Sequence, residues 1–467
     1  LLGSIENMAM MGALVTDFSL IKAGAIHRAN GGYLILDVEQ LLMQPYAWQG
    51  LKRALQSKEV RFDVLEQMYS LVSTVSLEPE PIPLDLKVIL LGDRELYYQL
   101  FALDPEFAEL FKVIADFEEE MPRTSENEKL YAQLMATTVQ QEGLLHLDSD
   151  AIASVIEYGA REVDDAAMFS LHQGNMTNLL READYWANKQ GQRVITRSHV
   201  TNAIESRIDR TDRLRKQLYK QIEQDVMRIE VTGEKIGQIN ALSVLSVGGF
   251  NFGQPSRLTA NCRYGDGELI DIDREVELGG DIHSKGVLIM SSYLGSHYAK
   301  NKPLSMTASL AFEQSYGQVD GDSATVAELC VLLSSIAQTP IKQSIAITGS
   351  MNQHGMVQAI GGVNEKIEGF FDICQQLDFT GQQGVIIPSS NVQHLMLRSD
   401  VITAVSEGHF HIYAVETVEQ ALAILTDMPI GEADDKGVYP EVSFNGLVMK
   451  QINYWAEIHK NDKHDDN

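Results

Sequence analysis

The sequence predicts a multidomain protein of α/β and α+β class. Two apolar runs, at residues 33–36 and from residue 86, predict buried strands, and each is followed by a helical stretch, an alternation typical of a parallel sheet. Residues 125–227 have a helical pattern, and the alternating Arg and Asp of residues 205–229 predict a solvated connector rather than a core element. From Glu230 onward the chain changes to short strands separated by glycines, and the alternation of apolar with small or polar residues at 304–312 predicts a half-buried strand. These changes divide the chain into an α/β, a helical and an α+β part.

Length and composition are those of a globular protein. The 467 residues allow two to four domains at about 150 residues each. Hydrophobic residues make up 44% and charged residues 22% of the chain, which argues against disorder. We expect an α/β domain at residues 1–124, a helical domain at 125–228, an α+β domain at 229–430 and a frayed polar tail at 431–467.

Charge and cysteine content restrict the partners and the compartment. The formal net charge of −28 argues against nucleic acid or an anionic membrane as partner, because both require clustered Lys and Arg. The sequence contains neither a long uncharged apolar run nor a signal-peptide pattern, so we expect no membrane partner. Cys262, Cys330 and Cys374 lack CxxC spacing, which predicts a cytoplasmic protein without a disulfide framework or zinc site. Because the chain does not begin with Met, we expect it to be part of a longer protein.

The segment VDGDSA, residues 319–324, precedes a predicted helix. The apolar face of that helix consists of Val326, Leu329, Cys330, Leu333, Ile336 and Ala337. One interpretation is that Asp322 or Ser323 caps the helix, with Thr325 and Glu328 as a capping box. The other is that Ser323 is a nucleophile beside backbone N–H groups that stabilise an oxyanion, with Gly321 allowing a substrate to approach.

A serine nucleophile requires a neighbouring base. His354 is the first histidine that follows, but it lies at a predicted hairpin tip beside Gly355. Lys366 directly precedes an apolar helical stripe that starts at Ile367, where partial burial would lower the pKa of its amine. A lysine whose stem merely covers an apolar helix face would give the same pattern, so the residue pattern leaves the choice open.

The order of these motifs resembles the proteolytic domain of the Lon proteases. VDGDSA is followed by ITGS at 347–350, by Gly361 and Gly362, and by Lys366, which lies 43 positions after Ser323. Asp322 before the serine is similar to the B-type branch of that family, and the resemblance extends over residues 233–425.

The resemblance implies a Ser–Lys dyad that works without histidine. Ser323 would be the nucleophile, Lys366 the general base and Thr348 a hydrogen-bond partner of the lysine. The backbone around Asp322 and Ser323 would bind the oxyanion. The family's TGE is TGS here, which leaves Thr348 in place.

Residues 24–39 resemble the Walker B region of AAA+ ATPases, and the later helices resemble their lid subdomain. The implied fold is a partial AAA+ α/β subdomain, a helical lid subdomain and an α+β Lon-type proteolytic domain. No GxxxxGK[ST] phosphate loop occurs in the chain, although such a loop would lie before residue 1.

Other ATPase features are degenerate. Asp37, the Walker B aspartate, is followed by Val38 rather than glutamate, and Leu110 and His172 occupy the positions of the arginine finger and the sensor arginine. Because these groups stabilise phosphoryl transfer, we expect weak or absent ATP hydrolysis. Peptide hydrolysis would need no cofactor, and a role for ATP or Mg²⁺ is doubtful.

The sequence thus predicts a Lon-like serine endopeptidase that cleaves unfolded or damaged polypeptides inside a homo-oligomeric, hexameric ring, with the AAA+-like part as scaffold. Two alternatives stay open, a fully ATP-dependent Lon protease and a non-proteolytic AAA+-like chaperone or scaffold. A nucleic-acid remodelling ATPase is disfavoured by the charge. His409 and His411 form an HxH pair without a third ligand, so we predict no metal site.

Overall fold

The computed structural model describes residues 1–6, 8–10, 13–15, 17–61, 79–300, 303–434 and 437–465. Its internal contacts divide the chain into two compact units, Leu1–Phe117 and Glu118–Asn467. Among the described residues, no helix combines the length and the apolar character that crossing a membrane requires.

The first unit contains short strands and helices around a small core. In chain order its elements are β1 (Ser4–Ile5), β2 (Met8–Met10), β3 (Ala13–Val15), a 3-10 helix (Phe18–Leu20), β4 (Ile21–Lys22), α1 (Ala25–Ala29), β5 (Tyr33–Asp37), α2 (Val38–Met43), α3 (Ala47–Ser57), β6 (Glu59–Val60), β7 (Ile82–Pro83), β8 (Lys87–Leu91), α4 (Arg94–Leu103) and α5 (Pro105–Leu110). The expected parallel pairing is confirmed, because β5 and β8 pair in parallel. The expectation of a buried strand is wrong for one face of β5, where Tyr33 and Ile35 are 72% and 61% exposed.

The second unit begins with helices that share their own core. These elements are β9 (Glu120–Pro122), α6 (Ser125–Glu142), α7 (Ser149–Glu162), β10 (Met168–Ser170), α8 (Gln173–Lys189), α9 (Arg197–Thr211) and α10 (Arg213–Glu223). The core of α6 to α9 surrounds Phe169 and Leu180, which are fully buried. We expected α10 to be a solvated connector because of its charges, and this is wrong. Tyr219 and Ile222 of α10 are buried in the core of the following domain.

The remaining chain forms an α+β domain. Its elements are β11 (Glu234–Lys235), β12 (Gln238–Val247), β13 (Phe250–Tyr264), β14 (Glu268–Asp271), α11 (Ile272–Glu275), α12 (Asp281–Tyr298), β15 (Met306–Phe312), α13 (Thr325–Ala337), β16 (Ile341–Lys342), β17 (Ile345–Ile347), β18 (Ser350–Met351), β19 (Val357–Gln358), α14 (Val363–Leu377), β20 (Gln383–Pro388), a 3-10 helix (Ser389–His394), α15 (Ser399–Ser406), β21 (Phe410–Val415), α16 (Val418–Thr426) and α17 (Phe444–Asp465).

A seven-stranded mixed sheet organises this domain in the order β14, β15, β13, β12, β17, β20, β21. Successive residues of a strand point to opposite faces of a sheet. On β20, Ile386 packs into the core that contains α13, whereas Val385 and Ile387 pack into the core that contains α14. The two helices therefore cover opposite faces of the sheet. Their N-terminal turns can meet only where the central strands end, because the sheet separates them elsewhere.

Two further expectations have opposite outcomes. The alternating strand is confirmed, because Met306, Ala308 and Leu310 of β15 are buried. The expectation of a frayed tail is wrong for residues 444–458, because α17 packs against α13 over this stretch. Phe444, Val448, Ile452 and Trp455 of α17 are buried at helical spacing in the same core. The polar residues between them conceal this narrow apolar stripe in the composition of the tail.

Candidate active site

Ser323 and Lys366 approach each other from the two helices that cover opposite faces of the sheet. Ser323 lies in the turn directly before α13, and Lys366 lies in the first turn of α14. The Nζ of Lys366 is 3.0 Å from the Oγ of Ser323, within hydrogen-bond distance. Ser323 is half-buried, whereas Lys366 is 3% exposed. The pair therefore joins an accessible hydroxyl to an enclosed amine.

Thr348 holds the other side of the amine. It follows β17, and its Oγ1 lies 3.1 Å from the Nζ of Lys366. The same hydroxyl donates to the backbone carbonyl of Ser323 at 3.2 Å, and the amide of Gly349 donates to that carbonyl at 2.7 Å. The end of β17 thus fixes the lysine amine and the serine backbone in one network.

Burial changes the proton affinity of Lys366. Its surroundings lower the pKa of the amine to about 8, and the main cause is desolvation of the charged form. The carboxylates of Asp322 and Glu365 act in the opposite direction and stabilise the ammonium. Roughly a tenth of the amine is therefore neutral at pH 7, and a lysine base acts in this neutral form.

The capping interpretation of Ser323 does not match the structure. Ala324 occupies the N-cap of α13, and its side chain makes no capping hydrogen bond. Thr325 donates its hydroxyl to the carbonyl of Asp322 at 2.8 Å, and Asp322 accepts from the hydroxyl of Ser350 at 2.8 Å. Glu328 is buried beside His283 and forms no capping box. The Ser323 hydroxyl is thus left to Lys366.

Several backbone N–H groups around Ser323 are available as hydrogen-bond donors. Within the residues that the structure describes, the amides of Asp322, Ser323 and Ala324 donate no hydrogen bond to other backbone or side-chain groups. Gly321 has a φ of +97°, a conformation that favours glycine. This turn presents N–H groups beside the hydroxyl, an arrangement suited to a developing oxyanion.

His354, the other base considered, lies elsewhere. The predicted hairpin is present, with β18 and β19 as its short arms. His354 is exposed in the turn between them, where its amide donates to the Asn352 side chain at 2.9 Å. Among the described residues, no hydrogen bond or ion pair joins it to Ser323, which favours Lys366 as the partner of the serine.

A buried ionic cluster lies close to the nucleophile turn, residues 320–324, and the sequence pattern does not predict it. His283 of α12 lies 3.0 Å from Asp271 and 3.5 Å from Glu328, and all three side chains are almost fully buried. Burial raises the pKa of Glu328 to about 7, although His283 partly opposes this. These residues belong to β14, α12 and α13, so sequence spacing does not show that they are neighbours. Only the contacts of the folded chain bring them together.

The ATPase-like residues have structural partners. Asp37 ends β5, and its carboxylate accepts from the amide of Gln40 as the N-cap of α2. Leu110 ends α5. His172 is the N-cap of α8, and its Nδ1 accepts from the amide of Asn175 at 3.2 Å. Asp37 and His172 therefore act as helix caps.

Among the described residues, no group of three or more His, Cys, Asp or Glu side chains is arranged to hold a metal ion. Of the HxH pair, His409 is exposed beside Glu407, and the Nε2 of His411 lies 3.1 Å from the carbonyl of Gly381. Cys262, Cys330 and Cys374 are free thiols.

Comparison with known proteins gives a family match for each of the three predicted domains. Residues 1–118 match the family described as LonB-like, AAA domain, and residues 146–210 match Archaeal LonB, AAA+ ATPase LID domain. Residues 216–427 match Lon protease (S16) C-terminal proteolytic domain. A putative Lon protease homolog of Escherichia coli K12 is 40% identical over 411 residues, which are 87% of this chain and 69% of that protein. The chain belongs to the Lon protease family.

Other Lon relatives extend the comparison. A putative Lon protease homolog of Haemophilus influenzae is 37% identical over 441 residues, which are 92% of this chain and 70% of that protein. An archaeal Lon protease of Archaeoglobus fulgidus is 26% identical over 408 residues, covering 86% of this chain and 62% of that protein. The Lon resemblance and the multidomain fold with AAA-like, lid and proteolytic parts are confirmed.

Proposed function

We propose that this Lon-family chain is a serine endopeptidase in which Ser323 is the nucleophile and Lys366 the general base. The observation that carries the proposal is the 3.0 Å approach of a buried amine to a half-buried hydroxyl. A serine hydroxyl becomes a useful nucleophile when an adjacent group accepts its proton. Burial supplies the neutral amine that this step needs.

The proposed reaction has two halves. The Oγ of Ser323 attacks the peptide carbonyl as its proton passes to Lys366, and the free amides of residues 322–324 stabilise the oxyanion. Lys366 then donates the proton to the leaving amine, so that the peptide C–N bond breaks and an ester to Ser323 remains. Lys366 next accepts a proton from water, which attacks the ester, and returns it to Ser323 as the ester bond breaks.

The substrate and assembly belong to the same proposal. Unfolded or damaged polypeptides fit an endopeptidase of this family, and a homo-hexameric ring in the cytoplasm would restrict access to the site. The net charge of −28 supports the view that neither nucleic acid nor a membrane is a partner.

We propose that the AAA+-like part acts mainly as a scaffold and that peptide hydrolysis needs no cofactor. Val38 stands where the catalytic glutamate is expected, and the carboxylate of Asp37 is used as a helix cap. Loss of an arginine finger alone costs about 10³ to 10⁵ in rate. A fully ATP-dependent protease and an idle scaffold are the alternatives.

The test is degradation of a fluorescently labelled unfolded protein with and without ATP and Mg²⁺. We expect Ser323→Ala and Lys366→Met to abolish cleavage, and the exposed-site controls Ser406→Ala and Lys450→Met to retain it. Full activity in both active-site variants would refute the dyad, and an inactive wild type would favour the idle scaffold. Strict ATP dependence would refute only the scaffold role.

A further inference from the structure

Arg161, at the end of lid helix α7, lies between two carboxylates of α14. Its Nη2 donates to Glu365 at 2.7 Å and to Glu368 at 3.1 Å, and its Nη1 donates to Glu368 at 3.0 Å. Nη1 also donates to the carbonyl of Met396 at 2.8 Å. The guanidinium thus joins the helical lid to the first turns of the helix that carries Lys366.

The two carboxylates flank the lysine in the chain and are largely enclosed. Glu365 directly precedes Lys366 and Glu368 follows it by two positions, and each carboxylate side chain is 11% exposed. Glu365 is one of the two charges that raise the pKa of Lys366 against the effect of burial. Low exposure limits screening by water, so the charge that compensates Glu365 matters for the amine.

Further contacts from the same turn of the lid hold the start of α14. The side-chain amide of Asn364 donates to Asp164 at 3.1 Å and to the carbonyl of His394 at 2.9 Å. The amide of Ala166 donates to the carbonyl of Gln393 at 3.1 Å. Residues 161–166 therefore contact the start of α14 through Arg161 and Asp164 and the neighbouring 3-10 helix through Ala166, and Arg161 is the cation among them.

We propose that Arg161 is a positioning residue for Lys366: its guanidinium holds Glu365 and Glu368, the carboxylates on either side of the lysine in the chain, and offsets the charge of Glu365 beside the base. The inference rests on the proposed function, since it assigns Lys366 the role of base. In this arrangement a lid helix, which does not touch the reacting groups, sets how much neutral amine is present.

The surroundings of Lys366 and of the carboxylates define which charges act on the base. Asp322 faces Lys366 from the nucleophile turn, beside the hydroxyls of Ser323 and Thr348. Arg398, before α15, donates its backbone amide to Glu368 at 2.9 Å and pairs with Asp372, one turn further along α14.

The remaining neighbours lie further from the base. Arg215 of α10 approaches Asp372 to 3.9 Å, and the hydroxyl of Tyr219 donates to the carbonyl of Gly253 at 2.8 Å. His394 contacts Asn364 through its backbone carbonyl. Within the part of the chain that the structure describes, Arg161 is the cation that pairs with Glu365, so its removal should act most directly on that carboxylate.

Replacement of Arg161 by glutamine should leave two carboxylates next to the lysine without their shared cation. Negative charge near an amine favours the ammonium, so the pKa of Lys366 should rise. The neutral fraction at pH 7.5 falls accordingly, whereas activity well above the pKa is retained. A purely structural role would instead lower activity equally at every pH.

The experiment measures kcat/KM between pH 6 and 10 on a fluorogenic peptide, using the full chain. The variants are Arg161→Gln, Arg161→Gln with Glu365→Gln, and Arg197→Gln. The acid limb is the part of the pH profile in which kcat/KM falls as pH falls. We expect Arg161→Gln to shift this limb to higher pH by roughly half a pH unit or more. The double variant should move it back toward the wild-type position.

Arg197→Gln is the matched control, because Arg197 pairs with Glu157 on the same lid helix at 3.0 Å but at an exposed site. Its acid limb should not move. An unchanged limb in Arg161→Gln, or a loss that is equal at all pH values, would overturn the proposal.

Glu365→Gln alone covers the case in which Arg161→Gln does not fold. It should move the limb to lower pH, and an unchanged limb would overturn the inference. Failure of the proposed function gives a different result, because Ser323→Ala would then remain active whatever the Arg161 variants do.

Discussion

Gly253 of β13 and Gly369 of α14 meet backbone to backbone. A Cβ built on Gly369 would lie 2.4 Å from the carbonyl oxygen of Gly253, closer than side chains approach. A Cβ on Gly253 would lie 2.0 Å from the carbonyl oxygen of Glu365 and 2.9 Å from the Cα of Lys366. The absence of a side chain at both positions lets α14 lie close enough to the sheet for Lys366 to reach Ser323.

Gly253→Ala should therefore displace the start of α14. Because the added methyl meets backbone rather than a flexible side chain, we expect a loss of roughly 1–3 kcal/mol in the free energy of unfolding. Displacement of the base should lower kcat by roughly ten- to a hundredfold. Gly295→Ala in α12 is the control, since its Cβ would meet no atom within 4 Å, and it should not lower stability. Wild-type kcat in Gly253→Ala would contradict this role of the contact.

The pH dependence of peptide cleavage should identify the base. With the pKa of Lys366 lowered to about 8, kcat/KM should rise as pH rises through about 8, because the neutral amine is the active form. A histidine base with an ordinary pKa near 6.5 would place the limb about one and a half units lower. His354→Asn should leave the profile unchanged, and a limb that moves in this variant would implicate the histidine.

Local pattern was sufficient to predict several elements. The apolar spacing after Ser323 predicts α13, and the alternation in residues 306–312 predicts β15. Periodicity also places Lys366 at the border of an apolar stripe. It does not place the amine 3.0 Å from Ser323, because that distance depends on how two helices on opposite faces of a sheet converge. The family resemblance, rather than the pattern, selected the pair.

Contacts between distant segments escaped prediction for the same reason. Arg161 and Glu365 are 204 positions apart and meet only in the folded chain. The charges of α10 suggested a solvated helix, yet Tyr219 and Ile222 are buried by their position on one helix face. Composition averages over both faces of a helix, so a narrow apolar stripe like that of α17 is lost in a polar average.

Thr348 is expected to act through its hydroxyl rather than through its volume. Thr348→Val keeps the shape of the side chain but removes the partner of the Lys366 amine and of the Ser323 carbonyl. We expect kcat to fall roughly ten- to a hundredfold with little change in KM, because orientation of the dyad is lost. Thr348→Ser should restore most of the rate. Equal activity of the valine and serine variants would show that the hydroxyl is dispensable.

Lys366 should also lower the stability of the folded protein in a pH-dependent way. Its pKa falls from an ordinary value of 10.5 to about 8, so the unfolded chain binds the proton more tightly. Between these pH values the unfolded state holds more protons, and stability therefore rises with pH; below about pH 8 the destabilisation is fully present.

Lys366→Met removes the buried charge, while Ser323 and Thr348 lose a hydrogen-bond partner. We expect a net gain of roughly 1–3 kcal/mol in the free energy of unfolding at pH 7, which shrinks toward pH 10 as the wild-type lysine becomes neutral. Denaturant unfolding at both pH values measures the difference, with the exposed Lys450→Met as the control that should show none. A gain that is equal at pH 7 and pH 10 would mean that packing, rather than the buried charge, distinguishes the two side chains.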